Sequence, residues 1–555
     1  MGTWSTEFIN LAEISRMDIL VAHGLAAWIA RRVAASAGAS RRGIVLYFPP
    51  HPTPGLDARR TDAWVLESHD PIVLPPEVEV RIAPGAKITL WGLTRLEVHG
   101  AFTAPVEQVF ELPRLVTATS SGIGDVSLLG DRIECVHPEW WGAGQGDAEV
   151  DTEALQHAVH VAMRRPRPLP IELLGCYTLR RTLMLSQWSN TAPFQGVELR
   201  GRFSSGDATF RAADDFFAVG AMVLVPHTTL SSLLHAVSFD ARGRALRCLE
   251  FYLTGSSVPG VTQAPHTLQQ CTFRGATTAQ VDLTRGPIVP SSGLPVPSPV
   301  PRLVASGCVF APTATSVGVR LGWTPDAVAA FSGCTFAGEA RAMVHVRGQG
   351  ATLTNCRFHN TLVPERLRNA SGSIDWREVH QTAPEGGLDI FVDRESYRVQ
   401  VPQQKEPQSA LGALGWVTAQ DCRSSSLQHV AVARHTPAPS ERVVRDSVVI
   451  GLHHACNPLP SGLARNRLPP AILWRAPAAQ GGALSLMGCR FDGLDRSGSP
   501  RVVVLNNPSM VRPALFEYGT CSRDRIVRTA EAAVDNDDVF QAQAIGRIPF
   551  PPPSP

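Results

Sequence analysis

Leu268-Gln-Gln-Cys271-Thr-Phe273, Ala305-Ser-Gly-Cys308-Val-Phe310, Phe331-Ser-Gly-Cys334-Thr-Phe336, Leu353-Thr-Asn-Cys356-Arg-Phe358 and Leu486-Met-Gly-Cys489-Arg-Phe491 are copies of one pattern. Leu234-His-Ala-Val237-Ser-Phe239 is a weaker copy with Val at the Cys position. Cys308, Cys334 and Cys356 follow one another at intervals of 26 and 22 residues. The interval of 37 before Cys308 contains the Pro-rich stretch Pro287 to Pro301, which reads as a loop insertion. Cys and Phe two apart lie on one side of a strand, and Cys is small and apolar enough for an interior stack. The residue before Cys is Gly307, Gly333, Asn355 or Gly488 in four of the copies, and these types accept a left-handed backbone. Each unit therefore reads as strand, one-residue corner, strand.

A third strand follows. Val281-Asp-Leu283, Val319-Arg-Leu321 and Val344-His-Val346 begin 10 or 11 residues after their cysteines, each apolar-polar-apolar. Three short strands per 22 to 26 residues describe one coil of a parallel β-helix, with coils stacked about 4.8 Å apart. A propeller blade needs about 40 residues or more, so that architecture is excluded. Upstream, Val78 to Ile82, Ile88 to Leu90 and Leu96 to Val98 also alternate, and residues 41–135 read as first coils or a small β-domain.

The 555 residues carry Lys+Arg 51 against Asp+Glu 49, a net charge of +2. That balance, with no basic run, excludes a general nucleic-acid binder. With 46 glycines and 45 prolines, turns are frequent and long helices few. The eleven cysteines include no CxxC pair, so neither zinc-site spacing nor a disulfide framework is read from them; no metal and no cofactor are expected. Phe8 to Ala37 reads as one or two amphipathic helices, with Leu11, Ile14, Ile19, Leu20, Leu25, Ile29 and Val33 on apolar positions. They pack locally or dock the chain onto a second copy or a larger particle. The stretch from Ile19 to Ala35 is broken by His23, Arg31 and Arg32 and does not span a membrane. Glu7, Glu13 and Asp18 precede it, where a secretory signal would be basic. Localisation stays open between cytoplasm, a particle and export by a non-classical route.

His137-Pro-Glu-Trp-Trp141-Gly-Ala143 is followed by Gly146-Asp147, by Asp151-Thr-Glu-Ala-Leu-Gln156-His-Ala158, by Pro170-Ile-Glu-Leu-Leu-Gly175-Cys-Tyr177 and by Val197-Glu-Leu-Arg-Gly201. This resembles the start of pectate-lyase-superfamily right-handed parallel β-helix proteins, including phage tailspike-like depolymerases. The resemblance implies an all-β, pectin-lyase-like solenoid with a glycan partner. Val150 and Ala148 depart from the family's Asp-Asp-Thr and Gly-Asp-Gly. Asp151 is expected to N-cap a helix that caps the coil stack, with Ala154, Leu155, Ala158, Val159 and Ala162 on its apolar face. Trp140 and Trp141 either pack in the core or stack on a sugar. The expected division is a helical segment at 1–40, a β-rich region at 41–135, the β-helix at 136–545 with insertions at 286–302 and 361–415, and a Pro-rich tail at 546–555.

The resemblance further implies that sugars bind along the strand before the first long turn. That strand is assigned to the Val-x-Leu/Val triplets. Its outward row is Asp282, Arg320 and His345, the candidate catalytic residues, with Glu250 and Trp323 as candidate substrate-binding residues. For a lyase, Arg320 or His345 would take a proton beside a uronate carboxylate. For a hydrolase, Glu250 and Asp282 would have to sit on adjacent coils. The polygalacturonase Asn-Thr-Asp and Gly-His-Gly set is missing, as is a calcium-binding carboxylate cluster of the pectate-lyase type. Two readings follow: a carbohydrate-active β-helix, lyase or hydrolase, and a non-catalytic structural or adhesive β-helix.

Overall fold

The computed structural model describes residues 6–14, 24–39, 43–50, 63–111, 124–165, 167–186, 196–202, 208–217, 220–226, 229, 231–253, 265–285, 303–322, 328–347, 350–369, 379–380, 383–399, 408–414, 416–432, 447–455, 469–475, 483–487, 490–492, 502–506, 515–518 and 526–530. Residues 1–214 and 215–555 form two compact units.

In the first unit the strands repeat in threes. Gly43–Phe48, Val78–Ile82 and Phe102–Thr103 share one parallel sheet. Trp64–Glu67, Ile88–Trp91 and Phe110–Glu111 share a second, and Ile72–Leu74, Arg95–Val98 and Asp125–Leu128 a third. Each strand pairs with the third one after it, which is the connectivity of stacked coils. Period-two alternation drives this: Val78, Val80, Ile88, Leu90, Leu96 and Val98 are buried, while Arg81 and Arg95 face solvent.

In the N-terminal segment the expected helix at Phe8 is replaced by strand, and Ile19 and Leu20 lie outside the described residues. Thr6–Asn10 is a strand, pairing with Gly43–Phe48 through Phe8↔Val45, and Leu11–Glu13 is a single 3-10 turn. The unpaired edge of Gly43–Phe48 offers a backbone ladder that outcompetes helix at Phe8. Leu25–Ala39 is a helix, burying Leu25, Ile29 and Val33 and packing on Trp64–Glu67 and Ile72–Leu74. No helix among the described residues is long and apolar enough to cross a membrane.

The helix Ala148–Ala162 begins earlier than expected. Its N-cap is Asp147, whose Oδ1 accepts from the backbone N–H of Glu149 and Val150 at 3.0 and 3.2 Å. Asp151 lies inside the first turn and is fully buried. Its carboxylate accepts from the Gly144 and Thr178 N–H groups, both at 2.7 Å, tying the preceding turn to the Cys176–Leu179 strand. The helix packs on Asp125–Leu128, on the 3-10 turn Pro138–Trp141 and on Cys176–Leu179. Trp140 and Trp141 are core residues. They pack against Phe102 and Phe110, with ring centroids 5.0 and 5.6 Å apart, and the Trp140 indole N–H donates to Pro105 O.

The second unit is built from the Cys-x-Phe repeats. The corner residues Ala236, Gln270, Gly307, Gly333, Asn355 and Asp421 all have φ between 53° and 60°. After each corner the chain re-enters a parallel strand, in the register Phe239↔Phe273↔Phe310↔Phe336↔Phe358. These rings stack with centroids 4.8, 5.4, 4.8 and 4.9 Å apart and planes within 13° of parallel. Cys271, Cys308, Cys334, Cys356 and Cys422 form a buried ladder of free thiols beside them. Cys489 and Gly488 lie outside the described residues. The third strands pair in the register Val281↔Val319↔Val344↔Ile390↔Val430↔Ile472. The chain is thus a parallel β-helix, and all-β apart from short helices.

The stretch 361–415 does not leave the stack throughout. Leu388–Val399 returns to it, pairing with Ala342–Arg347 on one side and Gln428–Val432 on the other before forming an antiparallel pair with Gln408–Leu414. Leu388-Asp-Ile-Phe-Val392 is a rung with no Cys-x-Phe marker before it. The positions Pro287 to Pro301 and the Pro-rich tail lie outside the described residues.

Two substitutions separate the contributions of stack and corner. Phe310→Ala removes a ring packed on both sides and is expected to cost about 3–5 kcal/mol. Gln270→Gly relieves a left-handed non-glycine corner and is expected to stabilise by about 1 kcal/mol. Denaturant unfolding of the two variants checks both signs.

Candidate functional site

The register brings four sequence-selected residues into one line. Glu250 pairs with Asp282, Asp282 with Arg320, and Arg320 with His345, one per coil on successive strands. Trp323 lies outside the described residues. The row arises because Leu249, Phe251, Val281, Leu283, Val319, Leu321, Val344 and Val346 point into the core, turning the intervening residue to the other face.

That face is not a solvated one. Continued along the register, the row runs from His345 into Phe391, Ala431 and Leu473, all fully buried. These cluster with Ala279, Val317, Ala342 and Leu388. The His380 ring lies 6.4 Å from Phe391.

The charges within the row answer one another. Asp282 is fully buried, and Arg320 Nε donates to its Oδ1 at 3.0 Å while the Arg320 terminal nitrogen bonds to Oδ2. Arg247 Nε donates to the same Oδ2 at 2.5 Å, and its terminal nitrogen reaches Glu250 Oε2 at 3.3 Å. Both arginines keep 19% of the side chain exposed, and Glu250 keeps 12%. Arg247 was not selected from the sequence; its position three residues before Glu250 in the same strand was the available signal. Asp393 was also missed, and its Oδ2 lies 3.7 Å from His345 Nε2, beyond hydrogen-bond reach.

Burial holds the His345 imidazole below its ordinary value, partly offset by Asp393, while Arg347 and Arg320 push it further down. The ring is therefore neutral at neutral pH, and its buried Nε2 has no hydrogen-bond partner. Chemically, the row holds two carboxyl groups bonded to guanidinium groups and one neutral imidazole.

No known family model matches the chain, and no curated protein does. Solved structures similar to it include ORF18 of Geobacillus virus E2, 11% identical with a TM-score of 0.36, covering 72% of this chain and 62% of that one. The tailspike protein of Acinetobacter phage vB_ApiP_P1 is 11% identical with a TM-score of 0.34, covering 75% and 65%. The enzymatically active domain of tailspike protein 2 of bacteriophage CBA120 is 12% identical with a TM-score of 0.29, covering 74% and 48%. The chain spans less than two thirds of the length of each of these structures.

Asp282→Ala leaves two guanidinium groups without their shared counter-ion and is expected to cost about 3 kcal/mol in denaturant unfolding. The His345 titration has a definite sign. Its folded value lies below the unfolded one, so the stability carried by the neutral ring is full above the ordinary imidazole range and is lost as pH falls. Asp393→Asn removes the charge that raises His345 and should move its NMR titration midpoint still lower; a midpoint that rises contradicts the assignment.

Proposed function

We propose that this protein is a glycan-binding β-helix that cleaves an acidic polysaccharide by β-elimination. The observation that carries the reading is His345, a neutral imidazole with a hydrogen-bond-free Nε2, one coil from the Arg320 guanidinium. In this role the His345 ring turns its Nε2, buried in the free protein, toward the sugar and takes the proton next to a uronate carboxylate, and Arg320 offsets the charge on that carboxylate as the carbanion develops. The resemblance at residues 137–201 supports a glycan as partner. Hydrolysis is less well supported, because Glu250 and Asp282 are both bonded to Arg247 rather than held apart with one facing a leaving group and the other a water or sugar carbon.

A second reading, a non-catalytic structural or adhesive β-helix, is favoured by the full burial of Asp282 and by the continuation of the row into Phe391 and Leu473. On that reading the row is an ion-pair ladder that aligns coils.

A panel of acidic and neutral polysaccharides, followed by unsaturated-uronate absorbance and by reducing ends, separates the two. The lyase reading expects uronate absorbance with an acidic polymer. His345→Gln should then lower the rate about 10²-fold or more while glycan binding persists. Reducing ends without absorbance point to hydrolysis, and no product with any polymer leaves the structural reading.

A further inference from the structure

We propose that Cys135, His137 and Glu172 form a binding site for a single thiophilic divalent cation, Zn²⁺ by its chemistry. The site arises from a register that no local motif announces. Val136 forms a parallel bridge to Ile171, with Val136 N–H donating to Pro170 O and Glu172 N–H donating to Val136 O, both at 2.9 Å. Val136 and Ile171 are fully buried and point inward. Their neighbours Cys135, His137 and Glu172 therefore project together to the opposite face.

Cys135 Sγ lies 3.3 Å from His137 Nε2, and His137 Nε2 lies 4.0 Å from Glu172 Oε2. All three donor atoms fall within 4.8 Å of one another. A tetrahedral Zn²⁺ bonds sulfur at about 2.3 Å and nitrogen or oxygen at about 2.0–2.2 Å. The Sγ to Nε2 spacing already suits such an ion. The longer carboxylate spacing closes by rotation of Glu172, whose side chain is 37% exposed. His137 is 8% exposed; its ring meets Trp140 edge-on with centroids 5.2 Å apart, which aims Nε2 at Cys135 and Glu172, while its Nδ1 has no partner. Three protein ligands of this type leave a fourth position for water or another ligand.

The surrounding charges are mixed. Arg200 stands opposite Glu172 on the next strand and is engaged by Glu198 at 2.6 Å. Arg202 bears on His137, and Glu134 on Cys135. Without a cation, burial and the two glutamates push the Cys135 thiol up to about 11. Binding displaces that proton: the S–H bond breaks, the sulfur pair forms the bond to the metal, and the proton leaves to solvent. The site is separate from the charged row and does not depend on the proposed glycan chemistry.

Co²⁺ titration of the chelator-stripped full chain is the test. The expected result is one Co²⁺ per chain with a thiolate-to-cobalt charge-transfer band, displaced by stoichiometric Zn²⁺. Cys135→Ser should abolish the band, and Glu172→Gln should weaken binding at least tenfold while keeping it. Cys176→Ser, which alters the exposed cysteine nearby in sequence, should change nothing. Circular dichroism of each variant verifies folding, and Glu172→Gln, altering a half-exposed side chain, serves if Cys135→Ser unfolds. Absence of the band, its persistence in Cys135→Ser, or undiminished affinity in Glu172→Gln overturns the proposal.

Discussion

Six described coils of the second unit turn after their first strand on a residue at positive φ, Ala236, Gln270, Gly307, Gly333, Asn355 or Asp421, and hydrogen bonds between coils hold that turn. The corner N–H donates forward, as in Gly307 N to Ser332 O and Gly333 N to Thr354 O, both at 2.9 Å. The cysteine carbonyl after it accepts from the next coil, as in Thr335 N to Cys308 O at 2.8 Å. This pairing fixes the register, and a slip of one residue would turn every Cys and Phe out of the core. The phenylalanine stack, the thiol ladder and the charged row all inherit their alignment from it. Glycine meets the corner without strain at Gly307 and Gly333, whereas Gln270, Ala236 and Asp421 take the same conformation at a cost that the hydrogen bonds offset.

The stack ends where its chemistry changes. Phe358 is followed in register by Ser424, whose hydroxyl donates to the buried Asp389, itself 2.7 Å from His429 Nδ1. The His429 ring meets Phe358 edge-on at 5.6 Å. At the same level the outer row passes from His345 to Phe391. The interior becomes polar as the opposite face of the neighbouring strand becomes apolar. The coil geometry persists through this exchange because it rests on backbone pairing, and side-chain identity decorates it.

The charged row illustrates how burial changes the meaning of a pattern. Asp, Arg and His at intervening strand positions are ordinary on a wet face. Under cover, a carboxylate must be paired, and Asp282 is paired twice. The imidazole responds differently, staying neutral, because it can shed its proton where a guanidinium cannot. One row therefore holds groups locked by charge and one buried group kept neutral.

The β-helix was legible in the sequence because its determinants are local and repeated: a left-handed residue before Cys, Phe two residues later, and an alternating triplet 10 or 11 residues on. The same periodicity placed Glu250, Asp282, Arg320 and His345 in one line. It did not reveal the rung at Leu388–Val392, which lacks the marker, nor the strand at Thr6–Asn10, whose partner is more than thirty residues away. Nor did it show that Asp151 is a buried tie and Asp147 the cap, since both suit a helix start. What only the tertiary structure decided is which polar groups are covered and which meet across coils: Arg247 and Asp393 in the row, and Glu172 beside Cys135 and His137. Periodicity specifies the side to which a residue points. Burial and cross-coil distance depend on chain elements far apart in sequence, and no window along the chain contains them.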